Sequence, residues 1–153
     1  MRAALIPFLG RKHPFSASVE RFSLRRVPYR GAEPTMLLRE LCLHSGTAIV
    51  PIDHHIWTHV GKIIAGFNPS RGDRIAFNAW VREYRKYNSN LGEYKLDYCI
   101  SHLSNLELIS AGEGQSFADY WAKLSRSGKF ITDRITVPCT ASIPERRDEI
   151  CTA

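Results

Sequence analysis

The chain has 153 residues, a pI near 9.4 and a net charge of +6, from 21 basic and 15 acidic side chains. This length matches one domain with a modest core, and the 44% hydrophobic and 24% charged content excludes a wholly disordered chain. No apolar run approaches the ~18 residues that a membrane-spanning helix needs, so we expect no membrane partner.

The excess positive charge is concentrated at the start of the chain. Residues 1–31 hold seven basic side chains and one acid, whereas the remaining residues hold 14 of each. Such a segment is typical of a mitochondrial presequence or a basic arm, although an ordinary solvated extension has the same composition. We therefore predict a basic extension over 1–31, a helical domain over 32–128 and a weakly ordered tail over 129–153.

The cysteines and the lack of a leader bear on the compartment. Cys42, Cys99, Cys139 and Cys151 show no Cys-x-x-Cys spacing, which disfavours a zinc ribbon or a thioredoxin-like site. Cys42 and Cys99 fall in helical patterns, and no secretory h-region is present. We expect an intracellular protein with reduced thiols, in the nucleus or mitochondrion of a eukaryote or the cytoplasm of a prokaryote.

Five helices are predicted in chain order. The first begins near Glu33 and ends at Gly46, and an extended link follows over 47–52. The second begins at an Asp53 cap with Ile56, Val60 and Ile63 on its apolar stripe. The others cover 73–87, 91–109 and Phe117–Arg126, the last opened by Ser116 and ended by Gly128. Together they predict an all-α fold.

Aromatic and basic residues interleave in the third predicted helix. The run is Trp80, Arg82, Tyr84, Arg85, Lys86 and Tyr87. A surface that binds nucleic acid has this composition. An amphipathic helix with its aromatics in the core has it too, and we favour that interpretation because apolar and charged positions separate at helical spacing.

The segment Val50–Val60 carries the most chemistry. An aspartate at a helix N-terminus is held by backbone N–H groups, which favour its ionised form. Such a carboxylate can stabilise positive charge that develops on a sugar, or activate a nucleophile. Asp53 is a candidate for this role, and the alternative is that it only caps the helix.

Residues 50–56, Val-Pro-Ile-Asp-His-His-Ile, resemble the core motif of the helix-hairpin-helix DNA base-excision glycosylases. The chain looks most like the 8-oxoguanine branch, which includes a compact archaeal type. That branch carries a Leu-Arg pair in the preceding helix, matched by Leu38-Arg39, and a Leu-Gly-Glu stretch downstream, matched over 91–98. The resemblance covers roughly residues 28–106 and implies a helix-hairpin-helix fold.

The resemblance also implies an activity and a site. Asp53 would be the catalytic residue of an N-glycosidic hydrolysis that removes an oxidised base from double-stranded DNA, with no cofactor. The site residues it implies are Arg30, Gly31 and His55 for DNA binding, and Trp57 and Tyr98 for the base pocket. The hairpin at 27–32 keeps one glycine, and residues 33–35 offer no lysine nucleophile, so no lyase step is expected.

Three alternatives stay open. The protein could be a catalytically inactive remnant that binds DNA, a structural subunit of a larger assembly such as a mitochondrial one, or a plain helical domain in which the motif occurs by chance. His55 and His59 stand four residues apart, a spacing that could hold a metal on a helix. No further ligand set accompanies them, so we expect no metal site, and whether the protein is an enzyme is left open.

Overall fold

The computed structural model describes residues 2–27, 29, 31–126 and 150–151. A 3₁₀ helix over Ala3–Phe8 comes first. The strands are β1 Lys12–Val27, β2 Gly31–Ser45, β3 Ala48–His59, β4 Arg74–Asn88, β5 Glu93–Ser110 and β6 Ile150–Cys151, and the helices are α1 Lys62–Phe67 and α2 Phe117–Arg126. Neither helix in this part of the chain has the length and apolar character that crossing a membrane requires.

The strands form one sheet in the order β5-β4-β1-β2-β3-β6. Every neighbouring pair is antiparallel except β3 with β6. The prediction of an all-α fold is therefore wrong. The boundary placed at residue 31 falls between β1 and β2, and β1 is paired along both of its edges.

The connectivity of the first five strands resembles that of an OB-fold. β1, β2 and β3 form a meander, α1 follows β3, and β4 returns to the free edge of β1 before β5 adds beyond it. The oligonucleotide- and oligosaccharide-binding fold is a five-stranded, partly open Greek-key barrel. The 3₁₀ helix and α1 each contribute a buried side chain to the core, Leu5 and Ile64.

The core follows from alternation along the strands. In β4 the side chains of Ile75, Phe77, Ala79 and Val81 are buried, and the residues between them are not. Alternate side chains of a strand point to opposite faces, so one apolar face forms the core. The fully buried residues of the other strands include Phe15, Val19, Met36, Leu38, Ile56 and Ile100. Each large side chain contributes about 1.5–3 kcal/mol by burial.

The long strands are interrupted by irregularities that let the sheet bend. The pairing of β1 with β2 shifts register at Ser16/Ser18 and at Val19/Arg21. Glu40 in β2 and His102 in β5 have φ near 51°, in the left-handed region. Each such site increases twist and changes which residues face inward. Because of these interruptions, the apolar residues of these strands do not alternate regularly along the sequence.

Four predicted helices are replaced wholly or largely by strands. Residues 33–45 form β2, 73–87 lie in β4 and 91–109 in β5, while the segment after Asp53 stays extended to His59. Only Lys62–Phe67 of that second predicted helix is helical. The fifth helix, Phe117–Arg126, is confirmed, and the Ser116 hydroxyl accepts a hydrogen bond from the N–H of Asp119 at 3.2 Å.

Cys42 and Cys99 lie on strands and not on helices. Cys42 lies on β2 with a free thiol. Cys99, predicted as a reduced residue on a helix, lies buried on β5 and is disulfide-bonded. Of the predicted tail, residues 150–151 form β6 beside β3, and the rest lies outside the described residues, as does the predicted stop at Gly128.

Candidate nucleic-acid interface

Asp53 lies on β3 and caps no helix. Its Oδ1 atom accepts hydrogen bonds from the backbone N–H groups of His54, at 2.7 Å, and His55, at 3.4 Å. Its Oδ2 atom pairs with the Nε atom of Arg2 at 2.5 Å. The carboxylate is therefore held by local amides, as the sequence predicted for a cap, but a guanidinium also neutralises it.

Arg2 joins β3 and β5, two strands that are not neighbours in the order of the sheet. Its backbone N–H donates to Asp97 Oδ1 at 3.0 Å, and its Nη1 atom donates to the carbonyl of Tyr98 at 3.2 Å. Both partners lie on β5, whereas Asp53 lies on β3. One side chain therefore bridges the two strands, and we call Arg2, Asp53 and Asp97 the seam cluster.

The hydrogen bonds and charges around Asp97 favour its ionised form. Burial alone would raise the pKa of Asp97, but hydrogen bonds from the N–H groups of Arg2 and Tyr98 and the charge of Arg2 hold this pKa below its usual value. Burial, with the negative charge of Asp97, raises the pKa of Tyr84 to about 12. Tyr84 thus stays a neutral hydrogen-bond donor to Asp97, at 3.3 Å.

A cleft of about 480 Å³ opens beside the seam cluster. Arg2, Asp53 and Asp97 line it, together with Ile52 on β3 and Lys86 on β4. The cleft therefore lies between β3 and the β4–β5 hairpin. Two carboxylates and two cations share its wall, so it presents no strong net charge to a ligand.

The outer side of β3 presents an aromatic ring among cations. The guanidinium of Arg21 lies 5.5 Å from the centre of the Trp57 ring. Trp57 faces Leu37 across the β2–β3 pair, and His55 faces Arg39. We call Arg21, Arg39, His55 and Trp57 the Trp57 surface. Arginine and tryptophan in this arrangement suit stacking with a base and pairing with a phosphate.

Glu20 partly neutralises the positive charge of the Trp57 surface. Glu20 Oε2 lies 3.6 Å from Nε of Arg39 and 3.3 Å from Nε2 of His55. Arg39 and His55 are each more than half exposed, and Glu20 is about one quarter exposed. The carboxylate thus offsets part of the positive charge that Arg39 and His55 would otherwise offer to a phosphate.

The β1–β2 turn carries a further aromatic side chain. Gly31 has φ of +88°, which favours glycine at this position. Tyr29 beside it also has a positive φ, and its side chain is fully exposed. Arg30, the predicted phosphate contact, lies outside the described residues. The glycine predicted to approach DNA is thus the first residue of β2, paired with Val27 of β1 at the end of a β-hairpin.

The β4–β5 hairpin carries an exposed pair of tyrosines. Tyr87 and Tyr94 face each other across the two strands, with ring centres 5.0 Å apart. Their exposed fractions are 45% and 57%, so neither ring belongs to the core. Arg85 lies on the same face of β4 as Tyr87, whereas Lys95, next to Tyr94 in β5, lies on the opposite face of the hairpin; both are exposed. We call these four residues the tyrosine hairpin.

The predicted site residues are only partly brought together. His55 and Trp57 lie together on the outer side of β3, where His55 is exposed. Tyr98 belongs to the core, so it and Trp57 do not line a common pocket. His55 and His59 have separate glutamate neighbours, Glu20 and Glu33. Within the described ranges, no three His, Cys, Asp or Glu side chains gather as metal ligands would.

Sequence reasoning missed the tyrosine hairpin, Tyr29, Arg21 and Arg39. A signal was present in the interleaved run over 80–87, but the run was assigned to an amphipathic helix. In the comparisons with known proteins, no family model, no curated protein and no solved structure matches this chain. Its function therefore has to be inferred from the positions of its own side chains.

Proposed function

We propose that this protein binds single-stranded nucleic acid, with bases stacked on exposed aromatic rings and phosphates paired with nearby arginine and lysine. The observation that carries the proposal is the tyrosine hairpin. Two half-exposed rings on a two-stranded arm have no role in the core, and Arg85 is exposed on their face of the hairpin while Lys95 is exposed on the other. Base stacking on such a ring contributes about 1–3 kcal/mol per base.

The fold supports the same interpretation. OB-folds bind oligonucleotides on the face of strands 2 and 3 and on the loops between strands 1 and 2 and between strands 4 and 5. In this chain those three places hold Trp57 with its arginines, the exposed Tyr29, and the tyrosine hairpin. Aromatic and basic side chains therefore recur at each place where this fold binds its ligand.

The charges favour nucleic acid over a neutral oligosaccharide, the other ligand of this fold. In the described part of the chain, no ion pair within 4.0 Å involves Arg21, Arg85 or Lys95. Arg21 lies over the Trp57 ring, and Arg85 and Lys95 are exposed, so each offers its charge to phosphates, which supply most of the affinity in non-specific binding. Single strands are favoured because stacking on Tyr87 and Tyr94 requires bases that are not already stacked in a duplex.

Base excision by Asp53 stays a prediction from the sequence. One oxygen of the carboxylate is paired with Arg2 and the other with two backbone amides, so neither is positioned to activate water without breaking a contact. Binding without chemistry, the alternative raised by the sequence, agrees better with these contacts.

The test is a titration of a fluorescent oligothymidine with wild type and with the double variant Tyr87→Ala/Tyr94→Ala. We expect the double variant to bind at least about tenfold more weakly, because two stacking contacts are lost. Leu91→Ala is the matched control, since Leu91 is exposed in the same hairpin but is not aromatic. Equal affinity of wild type and double variant would overturn the proposal.

A further inference from the structure

A second aromatic and basic surface lies on β4, away from the three places described above. Trp80 is 39% exposed, which is a high fraction for a tryptophan. Its strand, β4, lies between β5 and β1 in the sheet. It faces Lys12 of β1 on one side and Ser101 of β5 on the other. Arg82 stands two residues further along β4 and on the same face.

The surroundings of Trp80 are positive. Lys12 is the cross-strand partner of Trp80, and Arg82 lies on the same face of β4. Burial, and then the charges of Arg82 and Lys12, lower the pKa of His102 on β5. Among the described residues, neither Lys12 nor Arg82 has a carboxylate within 4.0 Å. The Trp57 surface differs in this respect, because Glu20 lies against Arg39.

The two tryptophans are far apart along the sheet. Lys12, the partner of Trp80, and Arg21, which covers Trp57, are nine residues apart on β1. At about 3.3 Å per residue this is a path of about 30 Å. Trp80 also lies on the opposite face of β4 from Tyr87, because the two are seven positions apart in the strand and the pairing of β4 with β5 shows no register shift between them.

We propose that Lys12, Trp80 and Arg82 form a second contact surface for the same single-stranded polymer, so that a long strand continues from the first interface onto β4. The inference rests on the proposed function. At roughly 3.4 Å per nucleotide, the spacing of stacked bases, a path of about 30 Å takes at most about nine nucleotides, because an unstacked strand is more extended. A strand longer than this engages both surfaces, and the second contact then adds affinity through its high effective concentration.

The experiment compares Trp80→Ala with wild type on oligothymidines of about 4 and about 30 nucleotides, the shorter of which cannot span the two surfaces. We expect Trp80→Ala to weaken binding of the long strand about tenfold and to leave the short strand unchanged. Trp80→Phe, which keeps an aromatic face, restores most of the long-strand affinity. Leu108→Ala is the matched control, because Leu108 is about half exposed on β5 and is not aromatic.

Three results would overturn the second surface. The long strand could bind Trp80→Ala as it binds wild type, or both strands could weaken equally, which would place Trp80 inside the first interface. Trp80→Ala could instead abolish a self-association of the wild type, measured by sedimentation, which would make this a protein contact. Arg82→Ala, which leaves the aromatic packing intact, separates loss of binding from loss of folding. If wild type binds neither strand, the proposed function itself fails.

Discussion

Arg2 and Asp53 form an ion pair, with Nε and Oδ2 2.5 Å apart, that ties the first residues of the chain to the middle of β3. Both side chains are mostly shielded from water, with 14% and 26% of their surfaces exposed. The same guanidinium reaches Asp97 on β5. The N-terminal segment is thus part of the folded structure, and its removal would leave two partly buried carboxylates without their cation.

Arg2→Ala is therefore expected to destabilise the protein by about 2 kcal/mol, because breaking a partly buried pair leaves unpaired charge. Urea unfolding at neutral pH measures the change. Arg11→Ala is the control, since Arg11 is exposed, and it should alter stability by no more than about 0.5 kcal/mol. Equal free energies of unfolding for the two variants would show that Arg2 does not stabilise the fold through the seam cluster.

The seam also predicts how stability responds to acid. The pKa of Asp97 is lowered in the folded state from an ordinary value of 3.8, so the unfolded chain binds the proton more readily. The stabilisation by Asp97 is then fully present above about pH 4 and is lost as the pH falls through the lower folded value. Urea midpoints at about pH 5 and about pH 3 test this.

Asp97→Asn should lose part of that acid sensitivity, because the titrating carboxyl is gone. Glu107→Gln serves as control, since Glu107 is exposed on the same strand and no ion pair in the described part of the chain includes it. If the urea midpoint of Asp97→Asn decreases from about pH 5 to about pH 3 as much as that of wild type, Asp97 is not a source of the acid sensitivity.

The fold could be predicted only in part from the sequence, and the reasons are local. Ile75, Phe77, Ala79 and Val81 display a clear period of two, the mark of a strand. In β2, Leu37 is buried on the face opposite to Met36 and Leu38, so a continuous apolar run resembled a helix. In β1, two register shifts removed any sustained period.

The site was predictable to a similar degree. The interleaved aromatic and basic residues over 80–87 are visible in the sequence. Which of them share a face is known only once the segment is known to be a strand. Trp57 and His55 were selected through a family motif and lie on the outer side of β3, where they keep a binding role in our proposal. The partnership of Arg2 with Asp53 and Asp97 joins residues distant in the chain, and no local pattern indicates it.

Glu20 should act as a competitor of phosphate on the Trp57 surface. Glu20→Gln removes a negative charge that lies against Arg39 and His55, so we expect single-stranded DNA to bind about threefold more tightly. Fluorescence anisotropy at low salt measures the gain, with Glu107→Gln as the control for net charge. A gain of the same size in both variants would mean that Glu20 acts only through overall charge.

Removal of a damaged base by Asp53 has a direct assay. Wild type and Asp53→Asn are incubated with duplexes that each contain one damaged base, and release of the base is followed. We expect no release by either protein, because Arg2 and two backbone amides occupy the carboxylate. Release by wild type and not by Asp53→Asn would establish Asp53 as catalytic.

The central claim is that the molecule prefers single-stranded nucleic acid. A titration of wild type with an oligonucleotide of about 30 nucleotides, and with the duplex of the same sequence, tests it across a range of salt concentrations. We predict single-strand binding at least about tenfold tighter than duplex binding, with log K falling by about 2–3 per decade of salt for three to four phosphate contacts. Equal affinity for both forms, or no binding of the single strand at low salt, would contradict it.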